Sequence, residues 1–240
     1  FGTNRQRMVD TLYHGHVPVL ESWILPGQPD AVPVDQLTRY PYNPDQARAL
    51  LDEAGFLDAD GDGIRATETQ TLTLQLFTSE GTLRQDVAEL FREDMKAIGV
   101  DVELVPLSNA QLFSADGPLF LRQFDLALYA WIASPDAGGL QLWGCLSVPS
   151  ERNNWIGENF AGWCFRDADR AIREAVTTSD AQARADAYLK HQQLWTQELP
   201  VLPLFQRLGI VAAVPDVQGL QPDPLAPITW NIARWTRSTP

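Results

Sequence analysis

Residues 72–104 carry the pattern that most restricts how this chain can fold. Leucines at alternate positions of 72–76 predict a half-buried strand. Apolar residues then recur at helical spacing over 83–98, and a second alternation follows over 100–104. A strand, a helix of about four turns and a second strand form a βαβ unit, whose strands run parallel with a right-handed crossover. The chain is therefore predicted to be an α/β protein.

Elements on either side of this unit extend the same pattern. The capping residues Asn43 and Gly55 predict a helix between them. A strand is predicted over 124–131, and helices are predicted over 167–176 and 179–199. No internal repeat interrupts this order, so the whole chain fits the α/β class.

Charge and hydropathy argue against two classes of partner. The 240 residues include 31 acidic and 18 basic side chains, which gives a net charge of −13. Nucleic acids and anionic membrane surfaces are bound by clustered Lys and Arg, and this chain has the opposite balance. No apolar run approaches the ~20 residues that a membrane-spanning helix requires. We therefore expect no nucleic-acid partner.

The search for catalytic chemistry finds no nucleophile or nucleotide motif. The sequence has no G-x-S-x-G, no phosphate-binding loop, no G-x-G-x-x-G after a strand and no H-E-x-x-H. His14 and His16 fit a two-ligand metal pair, but they also fit two polar residues at a helix end. His191 lies among polar residues, which predicts a solvated helix face. We expect no enzyme, and a secreted hydrolase with paired carboxylates is the alternative.

The sharpest short motif is a calcium-like turn. Asp58, Asp60 and Asp62 alternate and a glycine follows, as in the first half of a calcium loop. The second half departs from that pattern, because the position of the bidentate Glu holds Thr69. The alternative is a tight turn in which Asp side chains satisfy their own backbone. A structural Ca²⁺ ion is the one cofactor that the sequence indicates, with these three aspartates as its ligands.

Two cysteines, Cys145 and Cys164, flank one long irregular segment. Neither belongs to a C-x-x-C pair of the kind that zinc or redox chemistry uses. A disulfide in an oxidising compartment explains this pattern, and two buried thiols in a cytosolic protein are the alternative. We favour the disulfide, because no third cysteine competes for pairing.

Tryptophans cluster in the same irregular region, at Trp131, Trp143, Trp155 and Trp163. Core tryptophans usually lie on helices or strands. Several on one long loop are more typical of a surface that binds apolar or sugar-like groups. The alternative is a set of core side chains that fill the space beneath the loop.

The order of these pieces resembles a known family. The opening segment NRQRMVDTLYHG is similar to the first helix of the second lobe in one family of bacterial proteins. That family is the family 5 extracellular solute-binding proteins, the peptide/nickel-type receptors of bacterial ABC importers. Further similar segments are, in order, YNPDQARALLDEAGF, DADGDGIR, AIGVDVEL, FDLALYAW, QELPVLPLF and WNIARW. No single motif is diagnostic, but together they cover essentially the whole chain.

The resemblance implies a fold and a division of the chain. Family members are two-lobed clamshells that trap ligand between the lobes by hinge closure. Residues 1–205 would form the second lobe, of the type II periplasmic-binding-protein kind, with a mixed sheet flanked by helices. Residues 206–240 would be a hinge and return segment that contacts the first lobe. That lobe, an export signal and a lipid anchor would precede Phe1.

The resemblance also places the ligand at the loop that follows the strand ending at Trp131. Peptide-binding members carry an Asp three residues after that Trp, and it pairs with the α-ammonium of the peptide. Here the position is Ser134, and the nearest acid is Asp136. A serine cannot supply the charge-assisted bond, so an oligosaccharide fits about as well as a peptide. The expected ligand-binding residues are Trp131, Ser134, Asp136, Trp143 and Trp155.

Solute capture is the function that the resemblance implies. The chain would be part of the extracytoplasmic substrate-binding component of an ABC importer, in the periplasm or at the cell surface. It would take up a peptide or a similar oligomeric solute and would meet the permease subunits of the importer. A calcium-stabilised interaction module is a further alternative, beside the hydrolase.

Overall fold

A computed structural model describes residues 1–223 and 226–238 of the chain. Its helices are α1 (Arg5–Tyr13), α2 (Pro44–Glu53), α3 (Thr82–Lys96), α4 (Asn109–Leu112), α5 (Pro118–Leu121), α6 (Leu140–Trp143), α7 (Arg166–Thr177) and α8 (Ala181–Glu198). Its strands are β1 (Thr73–Ser79), β2 (Asp101–Leu107), β3 (Leu126–Leu128), β4 (Val217–Gln218) and β5 (Thr236–Arg237). Single 3₁₀ turns occupy Val34–Gln36, Cys145–Ser147, Glu151–Asn153 and Ile232–Arg234. Within these ranges, no helix has the length and apolar character needed to cross a membrane.

The predicted βαβ unit forms the centre of the fold. β1 pairs in parallel with β2 along its whole length, and α3 connects the two strands. β3 pairs in parallel with the other side of β1, so the strand order is β2-β1-β3. The predicted α/β class is therefore confirmed. In the described ranges the main sheet is parallel throughout, and the antiparallel pairing expected of a mixed sheet lies outside it, between β4 and β5.

β3 is shorter than the strand predicted over 124–131. Its pairing stops at Leu128, where the carbonyl oxygen accepts a hydrogen bond from Thr78 Oγ1 (3.0 Å). At the other end, a carboxylate oxygen of Asp125 accepts the Gln75 N–H (2.9 Å) in place of a backbone partner. Side chains thus close both ends of the strand. The chain beyond Leu128 leaves the sheet as a loop.

The two faces of the sheet carry separate clusters of apolar side chains, as the alternation along β1 requires. One face packs on α2 and α3, and its buried residues are Ala47, Leu76, Ala88, Met95, Ile98, Val100 and Val102. Phe77 points the other way, toward Leu112, Leu119 and Phe160. The sheet is therefore covered on both faces, as parallel sheets are.

α1 is tied to α3 through a buried carboxylate. Asp94 is 5% exposed, and its oxygens accept the Asn4 N–H (2.7 Å) and an N–H of the Arg7 guanidinium (2.7 Å). The carboxylate of Asp94 thus accepts hydrogen bonds from a backbone N–H and from a cation. These bonds offset the free-energy cost of burying its charge.

α7 and α8 pack against each other as a helical hairpin. Ile172, Ala175, Ala187 and Tyr188 are buried between them and against Ile24. α8 begins at the residue after Asp180, whose carboxylate accepts the Ala183 N–H (2.8 Å) as an N-cap.

The predicted return segment begins where the chain leaves this body. Phe205 forms an antiparallel bridge with Val19, and the Gln206 N–H donates to the Pro18 carbonyl oxygen (3.3 Å). The chain beyond it exposes apolar side chains such as Ile210, which is 83% exposed. Residues 224–225 and 239–240 of the predicted segment 206–240 lie outside the described residues.

His191 contradicts the expectation of a solvated helix face. Its side chain is fully buried, and its ring contacts Trp23 (5.5 Å between centroids) and Trp163 (5.9 Å) edge to face. Neither ring nitrogen has a hydrogen-bond partner among the described residues. Polar neighbours in sequence did not reveal this, because the segments that cover His191 come from elsewhere in the chain. Burial lowers the pKa of His191 to about 3.

Acid should destabilise the fold through this residue. Between pH 6.5, the ordinary pKa of histidine, and pH 3, the unfolded chain binds a proton that the folded chain does not. The free energy of unfolding therefore falls as the pH is lowered through this window, by up to ~1.4 kcal/mol per pH unit from this site. We expect His191→Leu to remove that part of the pH dependence when urea unfolding is measured at pH 7 and at pH 5.

The matched control is His16→Leu, which removes an exposed histidine. It should leave the pH dependence of wild type intact. The same slope in wild type and in His191→Leu would contradict the assignment.

Candidate functional site

The carboxyl edge of the parallel sheet gathers the loops with candidate binding residues. Ser79, Leu107 and Leu128 end their strands at this edge, because all three strands run in the same direction. β1 lies in the middle, and the chain leaves it toward β2 on one side and returns at β3 on the other. In open α/β sheets, ligands bind outside the carboxyl ends of the strands at such a switch point.

Trp131 follows β3 at this edge and presents an aromatic surface. Its side chain is 38% exposed, and its ring packs edge to face on Tyr129 (5.1 Å) and on Trp143 (5.4 Å). The next residue, Ile132, is 99% exposed. The loop therefore exposes an apolar surface, and the buried side of its Trp131 ring packs on Tyr129 and Trp143.

Trp143 provides that support from the core. It is 1% exposed and contacts Trp195 (5.3 Å) and Trp23 (5.9 Å) as well as Trp131. No face of its ring is free for a solute, so its contribution to binding would act through the position of Trp131. This agrees with the alternative that some of the clustered tryptophans are core side chains.

Ser134 and Asp136 shape the same loop. Ser134 Oγ donates to the Asp136 carbonyl oxygen (2.8 Å), and the Ser134 carbonyl oxygen accepts Gln28 Nε2 (2.7 Å). One carboxylate oxygen of Asp136 accepts the Gly138 N–H (2.9 Å). Both predicted residues are exposed, and both are already used in fixing the loop conformation.

Arg184 on α8 anchors this loop to the helical hairpin. Its guanidinium donates to both oxygens of Asp30 (3.2 and 2.8 Å) and to the second oxygen of Asp136 (3.1 Å). The hydrogen bond to Asp30 is the main cause that raises the pKa of Arg184, so the cation is permanent. Asp136 thus already has a cationic partner.

Tyr188 adds a second anchor one helical turn further along α8. Its hydroxyl donates to the Gly138 carbonyl oxygen (3.0 Å). Burial raises the pKa of Tyr188 to about 12, so the hydroxyl keeps the proton that it donates. The loop is fixed at Ser134, Asp136 and Gly138 by residues from two other segments.

Trp155 lies apart from the Trp131 loop. Together with Arg122 and Arg152 it lines a separate open cavity of about 480 Å³. Among the described residues no ring contact joins Trp155 to Trp131. The structure therefore brings Trp131, Ser134 and Asp136 together, and it leaves Trp155 elsewhere.

The predicted disulfide is confirmed. Cys145 and Cys164 are bonded, with their Cα atoms 4.7 Å apart. The Cys145 N–H donates to Asp169 in the first turn of α7 (2.7 Å), and Arg173 donates to the same carboxylate (2.8 Å). Burial alone would raise the pKa of Asp169, but these two hydrogen bonds lower it overall. The bridge closes the irregular segment that begins directly after Trp143.

The aspartate turn places three carboxylates close together. Asp58, Asp60 and Asp62 are exposed, and each offers an oxygen within 4.8 Å of the others. Each also accepts a backbone N–H within the turn, from Gly61 (2.9 Å), Asp62 (3.3 Å) and Ile64 (2.7 Å) respectively. These bonds are those of the tight-turn alternative, and the spacing remains compatible with a cation.

Comparison with known proteins gives the family. The model "Bacterial extracellular solute-binding proteins, family 5 Middle" matches residues 1–151. The chain belongs to this family. The resemblance inferred from sequence segments is therefore confirmed, and the family consists of solute-binding proteins.

Relatives show how much of a family 5 protein the chain represents. It is 31% identical to di/tripeptide-binding protein 2 of Pseudomonas aeruginosa, over 80% of this chain and 34% of that protein. It is 30% identical to the peptide transport periplasmic protein SapA of Salmonella typhimurium, over 90% of this chain and 37% of SapA. The chain spans about a third of the length of these relatives.

A solved structure agrees with the fold. The oligopeptide-binding protein of Thermus thermophilus, in complex with a pentapeptide, aligns with a TM-score of 0.78 and 28% identity. The alignment covers 86% of this chain and 36% of that one. The expected type II periplasmic-binding-protein fold is thus confirmed for this family 5 chain.

The residues that hold the loop of this family 5 chain were not found from sequence. Gln28, Asp30, Arg184 and Tyr188 lie in segments far from the loop in sequence, and none belongs to a recognisable motif. The role of Arg184 and Asp30 is visible only in the structure, where Arg184 contacts both Asp30 and Asp136. The spacing of these residues along the chain gave no signal of these contacts.

Substitution of Asp30 and of Asp136 should show which of the two aspartates holds Arg184 in place. Asp30 is 10% exposed on its side chain and accepts two N–H groups from Arg184, whereas Asp136 is 65% exposed. We expect Asp30→Asn to lower the free energy of unfolding by about 2 kcal/mol, because a buried charge-assisted pair is lost. Asp136→Asn should cost less than about 1 kcal/mol. Urea unfolding at pH 7 measures both, and equal losses would contradict the assignment of Asp30 as the main anchor.

Proposed function

We propose that this chain is the second lobe of an extracytoplasmic solute receptor of an ABC importer. The receptor captures a peptide or a similar oligomeric solute between this lobe and a first lobe. The observation that carries the proposal is the exposed, anchored Trp131 loop at the carboxyl edge of the sheet, in a chain of the family 5 solute-binding proteins. Capture in this manner needs rigid lobes and a hinge, and it needs no catalytic group.

The chemistry of the loop narrows the solute. Ser134 occupies the position at which an acid would pair with the α-ammonium of a peptide. The carboxylate of Asp136 already accepts a hydrogen bond from Arg184. The described part of the Trp131 loop therefore has no carboxylate without a cationic partner. The exposed surface is aromatic and aliphatic, and such a surface packs on apolar side chains or on the faces of sugar rings. Relatives named for di/tripeptide binding and peptide transport favour a peptide over an oligosaccharide.

The return segment supports a second lobe. Leu208, Ile210 and Val214 are exposed by 45%, 83% and 56%, although each is apolar. They follow directly after the bridge at Phe205, where the chain leaves the lobe. Several exposed apolar side chains within 208–214 favour an interface at this segment. We assign it to contact with the first lobe, as expected for 206–240.

Location and transport partner complete the proposal. Relatives are named periplasmic, and the disulfide fits an oxidising compartment outside the cytoplasm. ABC permease subunits would receive the solute from the closed receptor. Lipid anchoring stays a prediction.

Solute binding by the full-length, two-lobed protein tests the proposal. We expect members of a panel of peptides, metal chelates and oligosaccharides to raise the melting temperature, because ligands that bind only the folded state stabilise it. Trp131→Ala should weaken binding of the solute found by about tenfold, as for a central aromatic contact. Trp155→Ala is the matched control, since that ring lines a separate cavity. No shift with any class would contradict capture, and turnover of the solute would favour the hydrolase.

Calcium at the aspartate turn stays a prediction with its own test. If Asp58, Asp60 and Asp62 hold Ca²⁺ in full oxygen coordination, calcium should raise the melting temperature relative to EDTA. Asp60→Asn should then remove most of that rise. The tight-turn alternative predicts the same melting temperature in calcium and in EDTA.

A further inference from the structure

The segment between the two cysteines exposes apolar side chains to solvent. Leu146 is 77% exposed and Ile156 is 69% exposed. The chain segments that carry them touch, because a Cβ added at Gly157 would lie 2.0 Å from the carbonyl oxygen of Ser147. We refer to the following five residues as the Trp155 surface: Arg122, Leu146, Arg152, Trp155 and Ile156.

The turn that carries Trp155 has a strained backbone. Asn154 and Trp155 are both left-handed, with φ angles of 55° and 59°. Residues with a Cβ rarely adopt this conformation, and a bulky residue that does so is an outlier. Hydrogen bonds fix the turn, since the Trp155 N–H donates to the Ser150 carbonyl oxygen (2.8 Å) and Asn153 Oδ1 accepts the Ser150 N–H (2.9 Å). Strain that the surrounding structure maintains in this way is concentrated at functional sites.

Two exposed arginines lie beside this turn. Arg122 and Arg152 line the open cavity together with Trp155, and Glu151 lines it as well. Neither arginine forms a salt bridge to any residue that the structure describes. Arg122 lies directly on the backbone of Gly162, because a Cβ there would be 2.0 Å from Arg122 Nη2. Both cations are therefore accessible to a carboxylate from another molecule.

The Trp155 surface is separate from the loop that we assign to the solute. Arg122 precedes β3 and Trp131 follows it, so these two residues belong to opposite ends of the strand. No ring contact joins Trp155 to Trp131 in the described ranges. A second surface of this kind implies a second partner.

The composition of the surface is that of a protein interface. Tryptophan and arginine are enriched among the residues that dominate binding energy in such interfaces, and exposed apolar side chains accompany them. Two cations beside Leu146 and Ile156 complement a partner that places carboxylates around an apolar contact. Because the turn is already fixed, it has little conformational entropy left to lose on binding.

We propose that the Trp155 surface docks the receptor onto an acidic extracytoplasmic loop of the importer's permease. Carboxylates of that loop pair with Arg122 and Arg152, and an apolar side chain packs on Trp155 and Ile156. This inference rests on the proposed function, because the importer supplies the partner. It adds which face of the lobe meets the permease and which charge the permease presents there.

Binding to the permease tests the proposal. The full-length, two-lobed protein is titrated against the permease complex of its importer, with its ATPase subunits, in lipid nanodiscs. We expect Arg122→Glu and Arg152→Glu each to weaken this binding by about tenfold, because each places an acid opposite an acid. Added NaCl should weaken binding of wild type and reduce the difference between wild type and variants, since salt screens exposed charges. Trp155→Ala should weaken permease binding and leave solute affinity unchanged.

The matched control is Arg92→Glu, which reverses an exposed arginine on the other face of the sheet. It should leave both permease binding and solute affinity at the values of wild type. Melting temperatures and solute affinities of all variants show whether each remains folded and able to capture solute.

Two results would overturn the proposal. One is unchanged permease binding in the Arg122→Glu, Arg152→Glu double variant. The other is a loss of solute affinity in that folded variant with permease binding intact, which would assign the surface to the first lobe. Permease binding that depends on both arginines, in a protein that no solute stabilises, would support docking while contradicting solute capture.

Discussion

β1 lies between two parallel neighbours, and this pairing decides where the chain can bind anything. All three strands point the same way, so the loops after Ser79, Leu107 and Leu128 leave from one edge. The chain departs from β1 on one side and returns on the other, which opens the gap that α/β proteins use for ligands. The Trp131 loop and the start of α3 both lie there. A sheet with an antiparallel β3 would place them at opposite edges.

The Trp131 loop is held by contacts with α8, which lies far from it in sequence. The ring of Trp131 packs on Trp143, and Trp143 packs on Trp195 of α8. On the same helix, Arg184 donates to the Asp136 carboxylate and Tyr188 donates to the Gly138 carbonyl oxygen. The indole N–H of Trp143 has no partner among the described residues, and such a buried donor costs about 1–3 kcal/mol. The disulfide that follows contributes about 3 kcal/mol in the chain-entropy model. Stability and the shape of the binding surface are therefore coupled.

Electrostatics divides the candidate site into two unlike halves. In the Trp131 loop, the cation of Arg184 is satisfied by Asp30 and Asp136, so that half offers apolar contact and no free charge. At the start of α3, Arg84 and Arg207 form no salt bridge in the described part of the chain, and the charge of Arg207 acts on Arg84. An acidic protein repels anions over most of its surface.

The sequence by itself determined the periodic elements, and it favoured the disulfide between the only two cysteines. Alternating leucines over 72–76, the helical spacing over 83–98 and the cap at Asn43 are local patterns, and the structure contains each element. Tertiary structure decided the burial of His191, the early end of β3 and the core position of Trp143. It also decided which arginine is paired, since Arg184 binds Asp30 across 154 positions of sequence, whereas Arg84 forms no salt bridge in the described part of the chain. The spacing of apolar residues shows only on which face of its own helix or strand a residue lies. Partners brought by distant segments leave no trace in local spacing, and these partners set the charge and the shape of the site.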